Sequence, residues 1–247
     1  MLRQHRLDAE RVFVTGLSAG GAMTAALLAT YPETFAAGAV VAGVPFGVAT
    51  DVQSAFGAMR GGLSHSGADL AGLVARAAPP SARRPRLAIW HGEADHTVNR
   101  GAALALSRQW AALNGLGDAD EVQSRAGWTR SVWRVGDQPI IELILLAGLG
   151  HGTPISGLGA DPLGAAGPFV LEAGISSTLE IARFWGLAPA DAAEWTPSAR
   201  LDPAQASHPA SDDLGAGIMA AVSPHVSPDI QAVISKALTS AGLLKRA

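Results

Sequence analysis

Residues 11–31 read RVFVTGLSAGGAMTAALLATY, and this stretch decides the fold. Arg11 to Thr15 is short, apolar and partly β-branched, which reads as a buried strand. Ser18 to Tyr31, rich in Ala, Leu and Met and stopped by Pro32, reads as a helix. Strand runs straight into helix across a serine set between glycines. The same alternation recurs outward from this point. Ala37 to Ala42 (AGAVVA) is a second buried strand, and Leu87 to Trp90, after the loop-like AAPPSARRP, is a third. Asn99 to Leu113 reads as a helix with Asn99 at its N-cap. Ser131 to Val135 and Ile140 to Ala147 form a strand pair across a Gly136-Asp137 turn, and IIELILLA is apolar enough to be covered on both faces. Residues 168–186 read as a helix ending at Gly186. The pattern predicts the α/β class, with a mostly parallel sheet and flanking helices.

The rest of the chain differs in kind. Leu187 to about Pro228 is rich in Ala, Pro, Ser and Asp and reads as an extended arm. Asp229 to Arg246 reads as an amphipathic helix with Ile230, Val233, Ile234, Leu238 and Leu243 on one side. The expected division is therefore residues 1–186 as the α/β domain and 187–247 as arm and helix.

Composition narrows the function classes. Across 247 residues, 18 basic side chains against 21 acidic ones give a net charge of -3, which argues against binding nucleic acid through its phosphates. A chain 48% hydrophobic and 16% charged is not disordered, and its 29 Gly and 15 Pro follow no repeat. There is no cysteine, so disulfides, thiolate zinc sites and cysteine nucleophiles are excluded together. The apolar run from Phe35 to Ala49 is too short for a membrane span and carries Gly38, Gly43, Pro45 and Gly47. MLRQHRLDAERVFV offers no apolar signal-peptide core after its basic residues.

Gly16-Leu17-Ser18-Ala19-Gly20 is a G-x-S-x-G pentapeptide between strand and helix, the context that a nucleophile elbow requires. The turn strains the serine backbone and brings residues two before and two after it together, so Gly16 and Gly20 must be small. It also exposes the Ser18 hydroxyl at a helix N-terminus, where the Ala19 N–H is positioned as an oxyanion donor. A serine hydroxyl needs a base, and the base needs an orienting group. In this architecture they follow in the order serine, acid, histidine. Trp90-His91-Gly92-Glu93-Ala94-Asp95 puts Asp95 in the loop after the third strand, with Glu93 as the alternative acid. Gly148-Leu149-Gly150-His151-Gly152 puts His151 in a glycine-flanked loop after the strand ending at Ala147. Three such groups at three strand ends point to nucleophilic acyl chemistry.

His91 and His96 flank the acid loop, either positioning it or making ordinary loop hydrogen bonds; His5, His65, His208 and His225 read as surface residues. No histidine pair has helical metal-ligand spacing, and neither G-x-x-x-x-G-K-[ST] nor G-x-G-x-x-G is present, so no metal or cofactor is expected. Trp90, Trp110, Trp128 and Trp133 read as core and edge packing in preference to an aromatic substrate platform.

Taken with these segments, IWHGEADHTVN, Gln109-Trp110, GLGHGTPI, Ile175-Ser176-Ser177 and Phe184-Trp185-Gly186-Leu187 resemble the polyhydroxybutyrate depolymerase family of esterases, α/β-hydrolases related to feruloyl and acetylxylan esterases. The resemblance runs from about residue 8 to residue 187. It implies Ser18 as nucleophile, Asp95 as acid and His151 as base, acting on a hydroxyalkanoate polyester, its oligomers or related esters, with feruloyl or acetylxylan-type esters as the alternative. It also implies an extracellular or periplasmic location. Two departures stand out. Relatives often carry a cysteine near the position of Val48, and they have strands and a second oxyanion loop before the elbow strand that this chain lacks. Arg11 to Thr15 is then expected to be an open apolar sheet edge, prone to pair with a second copy or another polypeptide. A catalytically silent fragment associating through that edge is the non-enzyme alternative.

Overall fold

The computed structural model describes residues 2–78, 83–158, 162–189, 219, 223, 226–240 and 244. The chain forms two compact units, Met1–Ala206 and Ser207–Ala247. In the first, a short helix α1 (Leu2–His5) and a 3-10 turn (Ala9–Arg11) precede β1 (Phe13–Leu17), α2 (Ala19–Thr30) and β2 (Ala37–Val41). Then come α3 (Val52–Met59), α4 (Gly67–Ala77), β3 (Arg86–Gly92) and α5 (Gly101–Leu113). The strands β4 (Glu121–Arg125), β5 (Trp128–Val135) and β6 (Gln138–Leu146) follow, then β7 (Thr153–Ile155), β8 (Val170–Glu172) and α6 (Ser177–Phe184). In the second unit the described element is α7 (Pro228–Ser240). No helix among the described residues is long and apolar enough to cross a membrane.

Six strands form one sheet in the order β1-β2-β3-β6-β5-β4. The pairs β1–β2, β2–β3 and β3–β6 are parallel, and β6–β5 and β5–β4 are antiparallel. β7 and β8 make a separate parallel pair. Apolar side chains alternate along β3 into two cores. Leu87 and Ile89 meet Leu28 of α2, Val74 of α4 and Trp110 of α5, while Ala88 and Trp90 meet Ile181 and Phe184 of α6. The sheet is covered on both faces, so its central strands are continuously apolar, as a parallel sheet requires. Gln109, fully buried, ties the layers: its Nε2 donates to the carbonyls of Phe46 and Leu70, and its Oε1 accepts from Phe46 N–H. Trp90, Trp110, Trp128 and Trp133 are all buried, so these four pack in the interior.

Several boundaries differ from the sequence reading for local reasons. The first strand starts at Phe13, because Asp8 accepts from Glu10 N–H and folds Ala9–Arg11 into a 3-10 turn. It ends at Leu17, because Gly16 and Leu17 pair with Val40 and Val41. The single helix expected over 168–186 divides: Val170–Glu172 pairs with Thr153–Ile155, Gly174 takes φ 68°, and Ser176 caps a helix of only eight residues. Gly186, at φ 74°, does end it. The α5 helix begins at Gly101, one residue later than a cap at Asn99 implies, although Asn99 Oδ1 accepts from Gly101 N–H. The arm expected from residue 187 falls almost wholly outside the described residues. β1 lies at one edge of the described sheet, with Thr15 exposed.

Candidate active site

The elbow sits where β1 ends and α2 begins. Ser18 has φ 56° and ψ −115°, a left-handed backbone that opposes its Cβ and costs roughly 1–2 kcal/mol. The strain is held by Ser18 N–H donating to Val41 C=O at 2.9 Å and by Ala22 N–H donating to Ser18 C=O at 3.0 Å. Gly16 is obligatory: a Cβ there would lie 2.2 Å from the Gly20 carbonyl oxygen. Gly20, expected to be equally constrained, would place a Cβ in open space, whereas Gly21 is crowded by Val40 and Val41 at 3.1 Å. The Ser18 side chain makes no cap bond to α2, so helix capping does not consume its hydroxyl, and the helix opens with Ala19.

Asp95 stands in the tight loop after β3, its side chain fully buried. Its Oδ1 accepts from Thr97 and Val98 N–H, both at 2.8 Å, which leaves Oδ2 to accept from His151 Nδ1 at 2.7 Å. The alternative acid, Glu93, turns outward and pairs with Arg100 at 2.6 Å. His151 follows β6 through Gly148, at φ 73°, and its side chain is 9% exposed. The two loops are interlocked. Ala94 N–H donates to Leu149 C=O, and a Cβ on Gly92 would lie 2.2 Å from that same oxygen. Asp95 and His151 are thus brought into direct contact. Ser18 occupies the carboxyl end of β1, and none of its hydrogen bonds among the described residues reaches His151.

Two neighbours carry more than the sequence gave reason to expect. His91, 2% exposed, donates from Nε2 to Val98 C=O at 2.9 Å and lies 3.8 Å from Asp95 Oδ2. Its Nδ1 is buried without a hydrogen-bond partner. Burial pushes its pKa below the ordinary value, with the Asp95 charge opposing, so a neutral ring backs the acid. Phe169 meets the His151 ring edge-on, with centroids 6.1 Å apart and planes at 84°. Its own φ is 60°, and the only sequence signal for this was a turn-forming Gly167-Pro168. His96, His5 and His65 are exposed, and His208 and His225 lie outside the described residues. Among the described residues no group of three or more His, Asp or Glu side chains is arranged to hold a metal ion.

A family model described as esterase PHB depolymerase matches residues 1–134. The chain is similar to poly(3-hydroxyalkanoate) depolymerase C of Paucimonas lemoignei, 35% identical over 195 residues covering 76% of this chain and 46% of that protein. It is also similar to feruloyl esterase B of Talaromyces stipitatus, 31% identical over 162 residues covering 62% of this chain and 45% of the other. Among solved structures, the acetyl xylan esterase from Aspergillus awamori shares the fold, with a TM-score of 0.61 at 23% identity over 76% of this chain and 63% of that one. The chain spans about half the length of the curated relatives it matches.

Proposed function

Because the chain belongs to the esterase PHB depolymerase family, we propose that it is a serine carboxylic-ester hydrolase working through Ser18, His151 and Asp95. The observation that carries this reading is the His151 Nδ1 to Asp95 Oδ2 bond at 2.7 Å, made by a carboxylate whose other oxygen is already spent on two backbone N–H groups. Ser18 Oγ attacks the ester carbonyl carbon as His151 Nε2 takes its proton. The negative charge that develops on the carbonyl oxygen faces the Ala19 N–H and the positive end of α2. Collapse breaks the C–O bond, and His151 returns the proton to the departing alcohol. Water, deprotonated by His151, then releases the acid. Asp95 holds the imidazole tautomer and its charge throughout.

Hydroxyalkanoate esters, as polymer or oligomers, are the substrates we assign, with feruloyl or acetylxylan-type esters as the alternative within the class. An extracellular or periplasmic site of action follows from the same reading. A purified chain should hydrolyse a short 4-nitrophenyl ester, and Ser18→Ala should lower turnover on the order of a million-fold. Turnover that survives this change rules the mechanism out. Relative rates on 3-hydroxybutyrate oligomers and feruloylated sugars choose between substrate classes.

A second reading is favoured by the edge position of β1: association with a second copy or another polypeptide through that strand, in a catalytically silent form. An inactive oligomer in the same preparation supports it.

A further inference from the structure

The turn Gly167-Pro168-Phe169-Val170 contradicts its own chemistry. Val170 N–H donates to Gly167 C=O at 3.0 Å, Pro168 stands second and Phe169 stands third with φ 60°. That is a type II turn, whose third position is reserved for glycine because a side chain there opposes the backbone. A bulky aromatic in this region is an outlier. Phe169 is half-buried and lies outside the two apolar clusters of the described residues. The ring meets His151, 6.1 Å between centroids at 84°. The backbone fixes the pairing: Phe169 C=O accepts from Thr153 N–H at 2.8 Å, two residues beyond the histidine. Gly152 lets the strands close, because a Cβ there would lie 2.8 Å from the same carbonyl oxygen.

We infer that Phe169 is a positioning residue for His151. The Asp95 bond anchors one ring nitrogen but leaves the imidazole free to swing about that anchor. An aromatic edge packed at right angles blocks the swing and holds Nε2 where the serine proton must go. Backbone strain kept beside a reacting group is the pattern by which such sites pre-organise. The inference rests on His151 being the general base proposed above.

The test compares wild type with Phe169→Gly, Phe169→Ala and Phe169→Trp, reading Tm, kcat and KM on a 4-nitrophenyl ester, with Ser18→Ala as the blank. Glycine and alanine should both lower kcat by about ten- to a hundredfold with KM nearly unchanged. Glycine should melt above alanine, the reverse of their usual order, because only glycine relieves the turn. Tryptophan should restore most of kcat. Wild-type kcat in Phe169→Gly, or a loss confined to KM, overturns the inference while leaving the esterase reading intact. Wild type without Ser18-dependent turnover overturns both.

Discussion

Four non-glycine residues among those described have positive φ: Arg6, Ser18, Ala42 and Phe169. Two of them, Ser18 and Phe169, belong to the candidate site, where the fold around each holds roughly 1–2 kcal/mol of backbone strain. The elbow at Ser18 and the meeting of the Asp95 and His151 loops were legible in the sequence because glycines and strand ends announce them. Phe169 was not, because its part depends on a backbone angle and on a contact with His151, eighteen positions away in the chain. His91 was legible only as a neighbour of the acid, since its bond to Val98 C=O requires the loop to be folded. It now supports a prediction. Burial holds its pKa below the ordinary 6.5, so the folded chain keeps the ring neutral while the unfolded chain protonates it. The stability it contributes is full above pH 6.5 and is lost as pH falls through the lowered value. His91→Gln retains a donor for Val98 and removes the titration, so its Tm should fall less steeply than wild type between about pH 7.5 and about pH 5.5. Parallel Tm curves would discard this account.

Elements were read most securely where burial is two-sided. β2, β3 and β6 are nearly continuous apolar runs and appear in the structure within two residues of their expected limits. β4, with the sequence EVQSR, escaped notice because an edge strand need bury little, and α4 because Gly67 and Gly72 interrupt its pattern. Its capping box, Ser66 with Asp69, was the available signal. Between β5 and β6 sits a group no pattern revealed: Glu142, 4% exposed, paired with Arg130. Burial raises its pKa, with Arg130 opposing. The stability tied to this carboxyl is therefore greatest below its ordinary 4.5 and is lost as pH rises through the raised value. Arg130→Ala should cost about 3 kcal/mol near neutral pH, because a buried charge is left alone, and less as Glu142 takes up a proton towards pH 4.5. Urea unfolding at both ends of that range measures it. A cost that does not change with pH would assign the loss to packing.

At the scale of the molecule, the sheet is asymmetric. β4 closes one side with Glu121, Gln123 and Arg125, whereas β1 ends the other side with Phe13, Val14 and Leu17. The resemblance anticipated this edge, which periodicity within a single strand could not, because strand order is set by non-local pairing. α2, which covers it, has no charged residue and leaves Met23 60% exposed. On the second reading, wild type should self-associate with rising concentration in sedimentation velocity. Thr15→Lys, a charge on the exposed edge, should shift it towards monomer with stability changed by less than about 0.5 kcal/mol. A wild type that stays monomeric throughout would dismiss the edge as a contact. The interlock of the acid and histidine loops has one last consequence. Gly92 lets Leu149 sit against the end of β3, so Asp95 and His151 travel as a single block on the middle of the sheet. Among the described residues, Ser18 follows a strand paired with one neighbour. Displacing β1 against the rest of the sheet would therefore move Ser18 without separating Asp95 from His151.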